Sequence, residues 1–399
     1  MTPLVPPSLD PAPLDPTTPL NADFTDAISA AIGNFLDGQT EVLKPLGAEL
    51  DPVQRIAADL TGGGKRLRPA FCYWGYVAVA GEPGRLRPAL LSAAASLELL
   101  HVSALVHDDV MDSSDLRRGL PAAHRRFERL HDDLGWVGDP TTFGRAGAIL
   151  LGDLLLMWSM QMLHQAGLPL EMLDRGLPII ESMRTEVTAG QFLDVVAQAR
   201  DHASYLPGRT AGDDAELQKA LDEAARVVEY KSARYTVRRP LQFGAALGGA
   251  DDAADQQSGV HDQIRLHDQL GAFGSPIGRA FQYRDDLLGV FGDSAVTGKP
   301  SGDDLREGKR TVLVAQALAG ADPAGRRLLE SQLGNKDLDA DGIAGLQQVI
   351  TESGAREAVE KMIDHDYSEA MTVLADAPIT DAGRTALTAL ASAAVRRSF

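Results

Sequence analysis

Apolar residues recur every three or four positions through most of the chain, as in Leu90–Leu100, Ile149–Leu163, Leu217–Tyr230 and Val312–Leu318. This is the period of one buried helix face. Neither a sustained alternation of period two nor a hairpin dipeptide interrupts it, so strands are not expected. Gly81-Glu82-Pro83-Gly84, Asp201–Gly212, Gly248–Gly259 and Gly334–Gly342 punctuate the pattern as loops, the second and third as surface insertions between helices. The opening differs. Seven of the 22 prolines fall between Pro3 and Pro19, a composition suited to a disordered or polyproline-like tail. The expectation is an all-α protein with a tail over residues 1–22 and a single large helical domain over 23–399.

Composition narrows the function classes. Of the 399 residues 44% are apolar, ample for a sizeable core, and the net charge of −18 argues against a nonspecific nucleic-acid partner. Cys72 is the only cysteine, which excludes an internal disulfide and fits a reducing compartment. The Pro-rich opening lacks the basic and apolar regions of a signal peptide. The apolar run Ala148–Met160 is broken by Gly152 and Asp153 and is too short for a membrane span. A soluble, acidic, cytoplasmic protein with no transmembrane segment is expected.

The chemistry begins at Asp108-Asp109-Val110-Met111-Asp112, which closes a long helical run. At roughly 100° per residue, Asp108 and Asp112 share a face one turn apart, Asp109 is rotated aside, and His101 lies on the same stripe. Like charges so spaced destabilise a helix by a few tenths of a kcal/mol, which invites a compensating cation. Mg²⁺ suits the site, because it takes carboxylate oxygens and keeps positions for water or phosphate. Alone, the motif would read first as a solvated acidic helix end. Here Val102, Leu105 and Val106 make the preceding turns apolar, and Arg117-Arg118-Gly119 supplies guanidinium groups suited to phosphate. His107-Asp108, with His101 and His124, also fits the metal dyad of an HD-type phosphohydrolase. That reading leaves Lys65, Arg68 and a second acidic motif unexplained.

The second motif is Phe281-Gln282-Tyr283-Arg284-Asp285-Asp286-Leu287-Leu288-Gly289. Two acidic helix ends facing one cavity could hold a metal cluster and bridge it to a diphosphate. Lys299 and Lys309, each beside a glycine, are placed to reach that diphosphate, although alone they would be ordinary loop lysines. Gly62-Gly63-Gly64-Lys65-Arg66-Leu67-Arg68-Pro69 reads as a glycine turn opening a helix, with Lys65 and Arg68 projecting from its positive end as an anion site. Two acidic motifs and two basic clusters suit two diphosphates, one held through metal and one held directly.

In order and spacing, Gly63-Gly64-Lys65-x-x-Arg68, His101, the first acidic motif with Arg117-Arg118-Gly119, Gly190-Gln191-x-x-Asp194, Lys231-Ser232, Phe281-Gln282-x-x-Asp285-Asp286 and Gly298-Lys299 resemble the trans-isoprenyl diphosphate synthases of the farnesyl/geranylgeranyl type. The resemblance covers roughly residues 40–320 by motif. It implies an all-α, isoprenoid synthase-like fold with helices around a central cavity, and a homodimer. It also implies condensation of isopentenyl diphosphate with an allylic diphosphate, with two or three Mg²⁺ ions. Asp108, Asp112 and Asp285 would bind metal, with Asp109 and Asp286 in support. Arg117, Lys231, Lys299 and Lys309 would grip the allylic diphosphate, and Lys65, Arg68, His101 and Arg118 isopentenyl diphosphate. Gln191, Asp194, Ser232 and Gln282 would line the reacting centre. The departed diphosphate would take the final proton.

One departure stands out. Gly289 occupies the place where many relatives have a third Asp, so Asp285 would supply the metal contact; Asp293 could substitute only if the helix continues. Product length should follow cavity depth below the first motif. Four and five residues before Asp108, ~6 Å lower, stand Ala104 and Ser103, both small; the next bulky residues on that side are Leu100 and Leu97. Geranylgeranyl diphosphate is the expected product, with farnesyl or longer polyprenyl diphosphates as alternatives. Other readings are a terpene cyclase, which would not need the Lys65/Arg68/His101 site, the HD-type phosphohydrolase, and a non-catalytic partner subunit.

Overall fold

A computed structural model describes residues 13–199, 214–249, 261–292 and 301–396. Most of the insertions 201–212 and 248–259, and Lys299, lie outside them. The apolar periods become helices: α1 Ala22–Leu43, α2 Asp51–Thr61, α3 Leu67–Ala80, α4 Arg87–Asp112, α5 Ala123–Asp133, α6 Pro140–His164 and α7 Leu170–Ala199. Next, α8 Asp214–Val227 runs without a break through a π-helical segment, Val228–Arg238, into α9 Arg239–Leu247. The remainder is α10 His261–Phe291, α11 Asp303–Glu307, α12 Val312–Gly320, α13 Pro323–Gln332, α14 Ala340–Glu352, α15 Ala355–Asp376 and α16 Asp381–Val395. Local chemistry sets several starts. The Asn21 side chain accepts from Phe24 N–H to cap α1, and Asp139 and Asp322 cap α6 and α13 ahead of Pro140 and Pro323.

Helix α4 is the spine of the core, packed by α1, α3 and α6, with Leu90, Leu97, Leu99 and Leu100 almost wholly buried. The π-helical segment lies between α7 and α10. Glycines permit this approach: a Cβ on Gly190 of α7 would fall 2.4 Å from Lys231 N, and one on Gly278 of α10 would fall 2.5 Å from Ala233 Cα. The segment is thereby drawn to the same depth as the end of α4.

Three sequence expectations change. Residues 16–21, assigned to the tail, form turns and bends, with Pro19 buried, its carbonyl accepting from Trp74 Nε1 at 3.4 Å, and Leu14 and Leu20 packed on the core. Two short strands, Leu116–Arg117 and Leu120–Pro121, pair antiparallel. They are too short to show a period. Finally, α6 is longer than its apolar run, and both it and the helix containing α4 are long and apolar enough to cross a membrane by length and composition. In this fold α4 and α6 pack on each other.

Candidate active site

One cavity of about 710 Å³ gathers most of the residues singled out above. Its walls include Lys65, Arg68, His101, Ala104, Asp108, Arg117, Arg118, Gln191, Asp194, Lys231, Ser232, Gln282, Asp285, Asp286 and Lys309. Asp109, Asp112, Ser103, Leu100 and Leu97 are not among the lining residues.

Asp108 sits near the end of α4 within a polar cage. Gln191 Nε2 donates to Asp108 Oδ1 at 2.9 Å, and Lys231 Nζ donates to Asp108 Oδ1 at 3.1 Å and Asp194 Oδ2 at 2.6 Å. Burial opposes the Asp108 charge, but Lys231, Lys309 and Arg117 hold its carboxyl well below the usual carboxylate range. At Asp112, one turn on, burial and the charge of Asp108 outweigh Lys309 and Lys231 and push the carboxyl up to about 7.

Asp109 is buried and turned to Arg117, whose Nε donates to its Oδ1 at 2.9 Å. Asp109, expected to support the metal, therefore fixes a guanidinium that faces the cavity. Arg118 and Gly119 turn the small hairpin with φ of 54° and 75°, the positive-φ pair of a two-residue connection. Arg118 Nη1 reaches back to the Gly63 carbonyl at 2.7 Å.

At the other basic cluster, Lys65 precedes α3 instead of projecting from it. Arg66, with φ 53°, turns the chain into the helix and is itself buried against Glu98 at 3.0 Å, each side chain only 2% exposed. Arg68 rests over the Tyr235 ring, 4.2 Å from its centroid, and donates to Thr236 Oγ1 at 2.8 Å. His101 Nδ1 lies 3.1 Å from Tyr235 Oη. Burial, then Arg68 and Arg118, lower the His101 pKa well below its usual value, so the imidazole is neutral at pH 7. Arg66, Glu98, Tyr235 and Thr236 were missed in the sequence. Tyr235 and Thr236 follow Lys231 and Ser232 by four residues on the same π-helical segment, and that spacing is the signal that could have found them.

At the second acidic motif Asp285 is exposed and Asp286 buried. Burial pushes Asp286 up to about 8, against a 2.7 Å hydrogen bond from Gln282 Nε2. Lys309 lies opposite, paired with Asp304 at 3.0 Å and Glu307 at 2.7 Å. Burial works against its charge, but Asp304 and Glu307 raise its pKa well above the usual value. Helix α10 ends at Phe291, so the condition for Asp293 to extend the motif is not met; Asp293 itself is outside the described residues.

The HD-type arrangement does not form. His107 Nε2 turns to α6, 3.3 Å from Asp153 Oδ1 and 3.2 Å from the Ile149 carbonyl, and His124 lines no part of the cavity. Nor do the two small residues below the motif act alike: Ala104 faces the cavity, whereas Ser103 Oγ donates to the Gly152 carbonyl at 2.7 Å. Among the described residues no three His, Cys, Asp or Glu side chains gather closely enough to hold a metal unaided. The donor set nevertheless fits Mg²⁺ shared with a substrate phosphate, since Asp108 of the first motif and Asp285 and Asp286 of the second line one cavity together with basic side chains, and Mg²⁺ takes carboxylate oxygens while keeping coordination positions for phosphate oxygens.

A family model described as polyprenyl synthetase matches residues 51–350. The chain belongs to that family and is a prenyltransferase. It is similar to the geranylgeranyl diphosphate synthase of Saccharolobus solfataricus, 29% identical over 90% of this chain and 91% of the relative. The geranylfarnesyl diphosphate synthase of Aeropyrum pernix is 29% identical over 81% of this chain and 86% of its own length. Among solved structures, the Corynebacterium glutamicum geranylgeranyl pyrophosphate synthase complexed with isoprenyl diphosphate and magnesium aligns with a TM-score of 0.84 at 37% identity, covering 96% of this chain and 100% of that one. The all-α, isoprenoid synthase-like fold expected from the motifs is the one observed.

Proposed function

We propose that this protein condenses isopentenyl diphosphate head-to-tail with an allylic diphosphate, using Mg²⁺, and that geranylgeranyl diphosphate is its main product. The observation that carries the reading is a single cavity in which the Lys65/Arg68/Arg118 cluster and the acidic ends of α4 and α10 face one another. A terpene cyclase would have no use for the first cluster.

Lys231, Arg117 and Lys309, with Lys299, bind the allylic diphosphate, where their charge counts most as the leaving group gains charge. Lys65, Arg68 and Arg118 hold the diphosphate of isopentenyl diphosphate, with His101 as a hydrogen-bonding group. Asp108, Asp112 and Asp285 would hold Mg²⁺, which supplies charge neutralisation at the departing diphosphate when bound. Gln191, Asp194, Ser232 and Gln282 border the reacting centre. Ala104, Leu105, Val187, Ala224 and Val228 give the cavity an apolar wall that keeps water from an allylic cation. The small Ala104 on that wall supports a chain longer than farnesyl. Two apolar side chains of α6, Leu150 and Met157, are 63% and 59% exposed and Phe192 of α7 is 67% exposed. They support a homodimer as the working form.

Radiolabelled isopentenyl diphosphate, incubated with Mg²⁺ and allylic primers of increasing length, tests the reading. Label should enter extractable lipid and accumulate as geranylgeranyl diphosphate. No labelled lipid with any primer would overturn the condensation, and a product stopping at farnesyl would overturn the length.

A further inference from the structure

Gly289 lies four residues beyond Asp285 on α10, on the same helix face, and forms part of the cavity wall. A Cβ built on Gly289 would fall 1.8 Å from Asp304 Oδ2 and 2.5 Å from its Cγ. The volume a side chain at 289 would enter is therefore already filled by a carboxylate from a different segment. That segment is α11, entered through Gly302 with φ 72° and anchored by the fully buried Leu305. Lys309 closes the arrangement: its backbone N–H donates to the Asp304 carbonyl at 3.1 Å, and its Nζ to Asp304 Oδ1 at 3.0 Å. Asp304 lines the same cavity as Asp285 and Asp286.

We propose that Asp304 is the third carboxylate of the second acidic motif, carried into place from α11 over the bare backbone of Gly289, and that it acts with Asp285 toward the divalent cation of the reaction. The inference rests on the metal-dependent condensation proposed above. It gives Gly289 a positive role, because any side chain there would displace Asp304. It also gives Lys309 a dual one, as counter-charge to Asp304 and as a cation facing the diphosphate.

The test compares Asp304→Asn, Asp304→Gly, Gly289→Asp and the double variant Gly289→Asp/Asp304→Gly with the wild-type chain. Mn²⁺ affinity is read by electron paramagnetic resonance in the presence of inorganic pyrophosphate, with thermal melting as a check of folding. Asp304→Asn and Asp304→Gly should weaken Mn²⁺ binding by ~10–100-fold, the usual effect of removing a group that supports a metal site. Gly289→Asp alone should also weaken it, since two carboxylates cannot share one place. The double variant, which moves the carboxylate onto α10, should recover most of the affinity lost in Asp304→Gly. Wild-type Mn²⁺ affinity in folded Asp304→Asn, or a double variant no better than Asp304→Gly, would overturn the proposal even if the chain makes prenyl diphosphate. A wild-type chain that binds Mn²⁺ with this dependence on Asp304 but incorporates no isopentenyl diphosphate would sink the condensation and leave the carboxylate assignment standing.

Discussion

Lys231 Nζ stands 2.6 Å from Asp194 and 3.1 Å from Asp108, tying the π-helical segment to α7 and α4 at the head of the cavity. Burial disfavours the ammonium, but the two carboxylates raise its pKa, so it stays charged through the physiological range. Lys231→Met should lower kcat by ~10²–10³, the effect of losing one preorganised charge at a leaving group. Steady-state kinetics with isopentenyl diphosphate checks this; a kcat within a few-fold of wild type would leave Lys231 a purely structural cation.

Gly190 makes that contact sterically possible. Its absent Cβ would lie 2.4 Å from Lys231 N, against backbone that cannot swing aside. Gly190→Ala should cost ~1–3 kcal/mol of stability through overpacking and should lower turnover by moving Lys231. Urea unfolding and kinetics on the same sample decide it, and an unchanged urea midpoint with full activity would show the segment can yield.

The three acids of the first motif should separate by role. Asp108→Ala and Asp112→Ala should cut turnover by several orders of magnitude with little loss of fold, since each removes a carboxylate from the proposed metal side. Asp109→Ala should act through Arg117, which loses its buried partner. A raised KM for the allylic substrate is its expected signature, and identical Mn²⁺-binding losses in all three variants would contradict the separation.

Arg66 and Glu98 form a buried pair beneath the basic cluster, with Arg118 3.9 Å from the same carboxylate oxygen. Glu98→Ala leaves Arg66 charged and buried, so a loss of ~3–5 kcal/mol is expected. Chemical denaturation measures it. A loss below ~1 kcal/mol, the range of exposed pairs, would mean that water reaches Arg66.

Ala104→Phe should place a ring in the apolar part of the cavity and shorten the product to farnesyl diphosphate while ionisation continues. Ser103→Phe should not shorten the product in this way, because Ser103 faces Gly152 on α6; it should instead lower Tm. Product chromatography separates the two, and an unchanged product in Ala104→Phe would move the ruler to another helix.

The helical class, the long helix ending at Asp112, and the two acidic and two basic motifs were legible in the sequence because each is local. A 3.6-residue period and carboxylates four residues apart need no knowledge of what lies opposite. Locality also hides partners. Asp109 follows Asp108 directly and reads as a support for the metal, and only the hairpin at Arg118-Gly119 folds Arg117 onto it. Ser103 and Ala104 look equivalent until α6 packs on one side of α4. The four-residue step from Lys231 to Tyr235 was present in the chain, but nothing in it says that Arg68 will arrive over the ring.

What the sequence determined alone is therefore the inventory: an all-α chain with carboxylates on two helix ends and cations in two glycine-marked turns, because period, charge and turn chemistry act within a few residues. Tertiary structure alone decided the pairings. Asp109 went to Arg117, Lys231 to Asp194, Arg66 to Glu98, and Asp304 into the space left by Gly289. Each joins atoms whose proximity is set by how α4, α7, the π-helical segment, α10 and α11 pack, a property of excluded volume and burial that no local spacing encodes.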